Sequence, residues 1–467
     1  MTNRISSAVR VVACPRLEEG YTHAVHPSGL CVLVSEKDLS TYHASLRVRY
    51  GSTDRYQPRR GGGKSARPVA AAPMGLAHFL EHKMFERVGG SYDDDFAALG
   101  AEVNAYTSDD RTAYMFSCTE HFPQALEALL RMVTSFSVTA ASVVRERDII
   151  AEELRMNADD PWEICHGVMR RALYSRHPVR EEICGTEASL RRITPRLLRQ
   201  TFDAYYTPAH MVLSVCGRTN MKEVLAVVDC VLGDSSERDG RPLATPPDDD
   251  LYVHPADWGE PALPVTRRVE LASHAVRKPI FSIGIKTPPP SPSPREALRQ
   301  DVAMTVLSDM LFSHSAPFYD SLFEAGAISP DMAYGSSQGR GYAYFSVSGE
   351  CHDPEAVGEA YRDYISTLRR EGLSREEFRR ARRILYADYI TGFDSTEDIA
   401  ASLGGYAMDS LMAAGDPPGS ESVDLFDFLT LAESITLDEV EALFRSCFAE
   451  ERTVLVSLSP ADASSHD

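Results

Sequence analysis

The chain has 467 residues and a formal net charge of −20. An acidic surface of that size repels phosphates and anionic headgroups, so nucleic acid and membrane surfaces are set aside as partners. With 43% hydrophobic and 25% charged residues it reads as an ordinary soluble globular chain, long enough for two domains of about 200 residues each.

The nine cysteines are scattered and form no Cys-x-x-Cys pair. That pattern fits reduced thiols better than a disulfide framework or a thiolate zinc site. The N-terminal MTNRISSAVRVVACPRLEEGYTHAV lacks the apolar core of a signal peptide, and no long apolar run occurs later. A cytoplasmic protein is expected.

In chain order, strand-like CVLVSE (31–36) and TYHASLRVRYGS (41–52) come first, then an irregular stretch, QPRRGGGKSARPVAAAP (57–73). A helix is expected over Gly75–Arg87, followed by a hairpin with a polar SDD turn that leads into RTAYMFSCT (111–119). Helical patterns follow over 120–136, 141–157, 162–174 and 195–205, then strand MVLSVCG (211–217) and a helix over 221–232. Residues 234–265, rich in Pro, Asp and Gly, read as a linker. The grammar then repeats loosely: strands at 278–286, 341–350 and 453–459, and helices over 297–325, 355–371 and 375–391. Two α+β units of similar size are expected, spanning 20–235 and 265–460 around a linker at 236–264.

The chemistry concentrates in GLAHFLEHKMFE (75–86). His78 and His82 stand one helical turn apart on one face, with Glu81 on its flank. Two neutral imidazoles so placed can hold one Zn²⁺, and the carboxylate can take a proton from an activated water. Phe79, Leu80, Met84 and Phe85 would give the same helix a core face without any metal. Downstream, VRERDIIAEELRMN (144–157) places Glu146 and Glu153 two turns apart with Ile149 and Ile150 between them. Glu153 would complete a three-ligand catalytic zinc, and Glu146 would orient a ligand histidine. Glu152 is the neighbouring carboxylate that could compete for the ligand role.

His-x-x-Glu-His followed some 70 residues on by Glu-Arg-x-x-x-x-x-Glu resembles the pitrilysin/insulinase clan of zinc peptidases, and within it the bacterial single-unit, YmfH-like type. GAEVNAYTSDDRTAYMF (100–116), RHPVREEICGT (176–186) and YYTPAHMVLSVCG (205–217) extend the resemblance. It implies two homologous α/β-roll domains, each an antiparallel-rich mixed sheet with helices packed on it, the second without a catalytic motif. It implies a zinc endopeptidase with one Zn²⁺ per chain, bound by His78, His82 and Glu153. Glu81 would be the general base and Glu146 the carboxylate that orients a ligand histidine. Asn104, Ala105 and Tyr106 would lie on an edge strand that pairs with a peptide substrate. A non-catalytic structural subunit of a processing complex is the alternative.

One part of the pattern is missing. Active clan members carry an Arg and a Tyr that would hydrogen-bond the oxyanion. The matching stretch here, YDSLFEAGAISPDMAY (319–334), has Phe323 and Pro330 at those positions. Arg340 and Tyr342 are nearby but wrongly spaced. The resemblance therefore implies a two-subunit chamber completed by a paralogue that supplies the Arg/Tyr pair.

Overall fold

The computed structural model describes residues 9–55, 72–233, 237–238, 241–242, 258–274, 276–413 and 423–461. Nearly all of the 57–73 stretch and most of the expected 236–264 linker lie outside the described residues.

Strands β1 (Arg10–Cys14), β2 (Glu19–Val25), β3 (Cys31–Glu36) and β4 (Tyr42–Val48) lead to helices α1 (Leu76–Met84) and α2 (Tyr92–Ala98). Strands β5 (Glu102–Thr107) and β6 (Thr112–Cys118) precede α3 (Phe122–Thr134), α4 (Ala140–Asp159), α5 (Pro161–Leu173), α6 (Glu187–Leu190) and α7 (Pro195–Tyr205). Strand β7 (Met211–Gly217) and α8 (Met221–Leu232) end the first half. The second half opens with β8 (Arg268–Ser273), β9 (Ile280–Lys286), α9 (Pro294–Phe312), α10 (Pro317–Glu324), β10 (Ala333–Gly339) and β11 (Tyr342–Glu350). It closes with α11 (Pro354–Glu371), α12 (Arg375–Thr391), α13 (Thr396–Ala413), α14 (Asp427–Ser434), α15 (Leu437–Cys447) and β12 (Thr453–Pro460).

Two compact units result. The first comprises Met1–Ala151, Ile183–Val253 and Ile390–Phe426. Its seven-stranded sheet has the order β1-β2-β3-β7-β4-β6-β5. Strands β3 and β7 pair in parallel, and the other pairs are antiparallel. Every residue of β7 is buried, because α13 packs on β3, β4 and β7 while α3 and α8 cover their neighbours. A strand covered in this way reads as a continuous apolar run, which is why MVLSVCG shows no alternation. At the far edge lies β5, whose residues alternate between exposed and half-buried.

The second unit comprises Glu152–Glu182, His254–Tyr389 and Asp427–Asp467. Its five-stranded sheet has the order β8-β12-β9-β11-β10, again with one parallel pair, β8 with β12. Helix α5 packs on β9 and β12. There Met169, Leu173 and Tyr174 join Tyr342, Tyr344, Val454 and Val456 in one apolar cluster.

Strand for strand, β3-β7-β4-β6-β5 is repeated by β8-β12-β9-β11-β10 with the same pairing senses. Among the described residues each half then threads five α-helices between its hairpin and its last strand, α3–α7 in one and α11–α15 in the other. The third helix of each series, α5 or α13, belongs to the compact unit of the other half. A division of the chain at 235 and 265 therefore does not follow the units, since 152–182 and 390–426 change sides. The expected helix over 297–325 is two helices. It breaks where Ser313 turns extended and Pro317 opens α10, a position proline favours because no backbone donor is lost there.

Candidate metal centre

Leu76, Ala77, Leu80, Glu81, Lys83 and Met84 favour helix, and α1 starts where Gly75 takes a left-handed φ of 81°. It ends at Met84, three residues before the expected limit, because Glu86–Arg87 turns back to pair with Gly90–Ser91. Phe79, Leu80 and Met84 are fully buried, so the apolar side of this helix does enter the core. The polar side is buried as well: His78 is 8% exposed, Glu81 7% and Lys83 2%. Burying ionisable groups is costly unless each finds a partner, and here they do.

His82 Nδ1 lies 3.0 Å from Glu146 Oε1. An imidazole that donates Nδ1–H to a carboxylate leaves its Nε2 lone pair available as a ligand. That Nε2 points at His78 Nε2, 3.3 Å away. Two imidazole nitrogens that share one tetrahedral zinc at ordinary bond lengths stand about 3.3–3.4 Å apart. Burial, followed by the neighbouring His82, pushes the His78 imidazole down to about 3, so it is neutral and able to ligate near pH 7. Burial alone would raise the Glu146 carboxyl, but His82 and Lys83 hold it below its ordinary value. Lys83 Nζ reaches Glu146 Oε2 at 3.4 Å and also pairs with Glu86. The ammonium thus fixes the carboxylate that fixes the histidine.

Helix α4 supplies the acidic residues. Thr139 and Ser142 exchange backbone-to-hydroxyl bonds at its start, and it runs unbroken for 20 residues to Asp159. Glu153 is therefore carried by the same helix as Glu146. Donor atoms of His78, Glu153 and Cys184 all lie within 4.8 Å of one another. His82 lies outside that set of mutually close donors and touches it through His78 Nε2. Glu152 does not belong to it: its side chain is 71% exposed and pairs with Arg155. Of the two isoleucines expected to fill the space between the glutamates, Ile150 is buried and Ile149 is exposed.

Glu81 Oε2 accepts a hydrogen bond from Thr107 Oγ1 at 2.6 Å, which ties the carboxylate to the end of the edge strand β5. Asn104, Ala105 and Tyr106 occupy that strand and pair inward with Met115, Tyr114 and Ala113 of β6. Asn104 and Tyr106 are exposed and Ala105 is half-buried. On the second unit, Phe323 is 45% exposed near the end of α10 and stacks on Tyr319. The Pro330 carbonyl accepts the Tyr319 hydroxyl. Neither position has a side-chain donor. Arg340 stands in the β10–β11 turn, where its carbonyl faces the His177 ring, and Tyr342 is buried in the cluster around Tyr174.

Sequence reasoning missed three participants: Lys83, Thr107 and Cys184. Lys83 and Cys184 sit inside segments already singled out, but nothing in spacing reveals that a lysine is buried or that residue 184 returns to α1. The donor set of two imidazoles, a carboxylate and a nearby thiol, with the second nitrogen of His82 anchored, suits zinc.

The sequence pattern of the insulinase peptidases, family M16, matches residues 70–187, and that of the M16 inactive domain matches 192–385. An uncharacterized zinc protease of Bacillus subtilis, YmfH, is 29% identical over 457 residues, covering 97% of this chain and 99% of its own. A second uncharacterized zinc protease, from Mycobacterium tuberculosis, is 26% identical over 391 residues and covers 82% and 83%. The crystal structure of a putative M16-like peptidase from Alicyclobacillus acidocaldarius superposes with a TM-score of 0.85 at 29% identity, over 96% of this chain and 100% of that one. Metal-motif half, inactive half and overall fold all agree: this chain belongs to the insulinase family of peptidases, M16.

Proposed function

We propose that the chain is a zinc-dependent endopeptidase that binds one Zn²⁺ through His78, His82 and Glu153. The observation that carries this reading is the convergence of the two histidine Nε2 atoms at 3.3 Å, one of them oriented by Glu146. Zinc held there would supply the Lewis acidity that activates a water and polarises the scissile carbonyl. Glu81 accepts the proton of the attacking water and hands it to the leaving amine. Thr107 donates to Oε2 of that carboxylate and holds it at the end of β5. The outer edge of β5 offers its backbone to an extended peptide, with Asn104, Ala105 and Tyr106 flanking the scissile bond. Main-chain pairing gives affinity with little side-chain selectivity, which suits peptides or unfolded segments as substrates. None of the nine cysteines is in a disulfide, in keeping with a reducing, cytoplasmic setting.

Metal analysis and mutagenesis test this together. The purified protein should carry about one zinc per chain. His82→Ala should lose it, and Glu81→Gln should keep it while hydrolysis falls by about 10²–10⁴-fold. A metal-free wild type, or full hydrolysis by Glu81→Gln, would sink the reading.

Phe323 and Pro330, which stand where oxyanion donors are expected, favour a second element. The active species is a two-subunit chamber in which a paralogue lacking the zinc motif supplies the Arg/Tyr pair. A homodimer brings a second copy with the same two residues. Peptide cleavage should therefore need the paralogue, and homodimeric protein that cleaves at an undiminished rate on its own contradicts the heterodimer. A non-catalytic structural subunit is the competing assignment. It predicts unchanged cellular function in Glu81→Gln.

A further inference from the structure

Cys184 lies near the end of the connection 174–186 between α5 and α6, and its placement beside α1 is built into the backbone. Gly75, at the start of α1, and Gly185 both have left-handed φ, 81° and 82°. A Cβ on Gly75 would stand 2.5 Å from the Cys184 carbonyl oxygen, and one on Gly185 2.7 Å from the Met74 carbonyl oxygen. Only a pair of glycines lets these two backbones meet. On the far side Thr186 caps α6 through the Ser189 N–H, and the Ser189 hydroxyl returns the bond. The loop is thus clamped before and after the cysteine.

The clamp sets Cys184 Sγ 3.8 Å from His78 Nε2, the same nitrogen that stands 3.3 Å from His82 Nε2. A thiolate and an imidazole that share one tetrahedral zinc stand about 3.6 Å apart, given bonds near 2.3 and 2.0–2.1 Å. The thiol also falls within the group of mutually close donors that includes Glu153. A catalytic zinc has three protein ligands and an open position, whereas a closed, four-ligand site is the structural kind. Resting on the zinc reading above, we propose that Cys184 is a fourth protein ligand of the resting site. It takes the position that hydrolysis needs for water, and the peptidase becomes competent only when this thiolate is displaced or chemically blocked. On binding the metal the thiol gives its proton to solvent, and on release it takes one back, so no oxidant or reductant is consumed.

Cobalt reports the ligands without reference to activity. Full-length wild type loaded with Co²⁺ should bind one equivalent and show both visible d–d bands and an intense near-ultraviolet sulfur-to-cobalt charge-transfer band. Cys184→Ser should bind one equivalent with the visible bands and without the charge-transfer band, and Cys184→Ala should behave the same way. Alkylation of metal-loaded wild type by iodoacetamide, forming a thioether and iodide, should abolish the band and, assayed with the paralogue present, raise peptide hydrolysis per bound metal. One equivalent of cobalt in wild type without the band overturns the proposal alone and leaves Cys184 as a hydrogen-bond partner of His78. Persistence of the band in Cys184→Ser overturns it equally. Absence of bound cobalt in wild type overturns the metal reading, and this proposal with it.

Discussion

Helix α1 follows β4 and packs on β5 and α7, and α9 follows β9 and packs on β10 and α15, the same place in the repeated topology. The buried residues of α9 are Leu298, Val302, Ala303, Met304, Val306, Leu307, Ser308, Met310, Leu311 and Phe312, with no ionisable group among them. Those of α1 include His78, Glu81 and Lys83. One topology thus shows what its first helix looks like when it serves packing alone and when it serves chemistry. The scaffold does not require imidazoles or carboxylates at this place, so their burial in α1 points to a ligand.

The comparison breaks most visibly at the metal. His78→Ala should leave a protein that still folds, since Phe79, Leu80 and Met84 keep the apolar side of α1 in the core. It should retain no zinc and lose at least about 10⁴-fold in hydrolysis, read by metal analysis and peptide cleavage on one preparation. Retained zinc at wild-type affinity would mean the ligand set is different. Glu146→Gln sits one step back. It keeps an acceptor for His82 and removes the charge that Lys83 and His82 share, so zinc affinity should fall by about 10–100-fold in competition with a chelator.

Backbone comes next. Gly185→Ala puts a Cβ against the Met74 carbonyl oxygen at a residue whose φ is left-handed. The expected loss is about 1–3 kcal/mol, several degrees of melting temperature, together with loss of the sulfur-to-cobalt band as the loop leaves α1. An unchanged melting temperature would mean that the loop is not clamped.

How much of this could be read in the sequence depends on what fixed each feature. CVLVSE and MVLSVCG coincide with β3 and β7 because central strands are coded by continuous apolar composition. The edges of the sheets were harder. Strand β1, RVVAC, and β8, RVELAS, are short and half-exposed, so their pairing rather than their composition makes them strands. The residues of the proposed site on α1 were legible because helical spacing alone brings His78, Glu81 and His82 to one side. Glu153 was legible through the two-turn offset from Glu146, and burial then separated it from Glu152. Cys184 was not, since it reaches the site by a contact between two glycine-bearing loops more than a hundred residues apart. The exchange of α5 and α13 between units was equally hidden, since nothing in an amphipathic helix names the sheet it will cover.

Acid sharpens the comparison with a smaller effect. In the metal-free protein His78 stays neutral down to about pH 3, while an unfolded histidine titrates near 6.5. Between those values the unfolded state binds the extra proton. The stability contributed at His78 is therefore intact above about pH 6.5 and is lost as pH falls toward 3, by at most about 1.4 kcal/mol per pH unit. On α9 the titrating group is Asp309, whose carboxyl burial raises despite the attraction of Arg380. There the folded state binds the proton first, so acidification through the carboxylate range stabilises. Amide hydrogen exchange on metal-free protein, corrected for intrinsic rates, should show α1 losing protection between pH 6.5 and 4 while α9 does not. His78→Gln should flatten the α1 response, and equal loss in both helices would refute the assignment.

The smallest expected effect lies where the metal helix meets the substrate edge. Thr107 ends β5 and donates to Glu81, so it couples the strand that would hold a peptide to the carboxylate that would move its proton. Replacing it with valine keeps the shape and the β preference and removes only the donor. A hydrogen bond to a charged group contributes about 1.5–3 kcal/mol, and solvent can take over part of the role. Thr107→Val should therefore reduce kcat by about tenfold with zinc content unchanged, and shift the acidic limb of the pH–rate profile upward, because a carboxylate that loses a donor holds its proton more tightly. A merely structural threonine would leave that limb where it was.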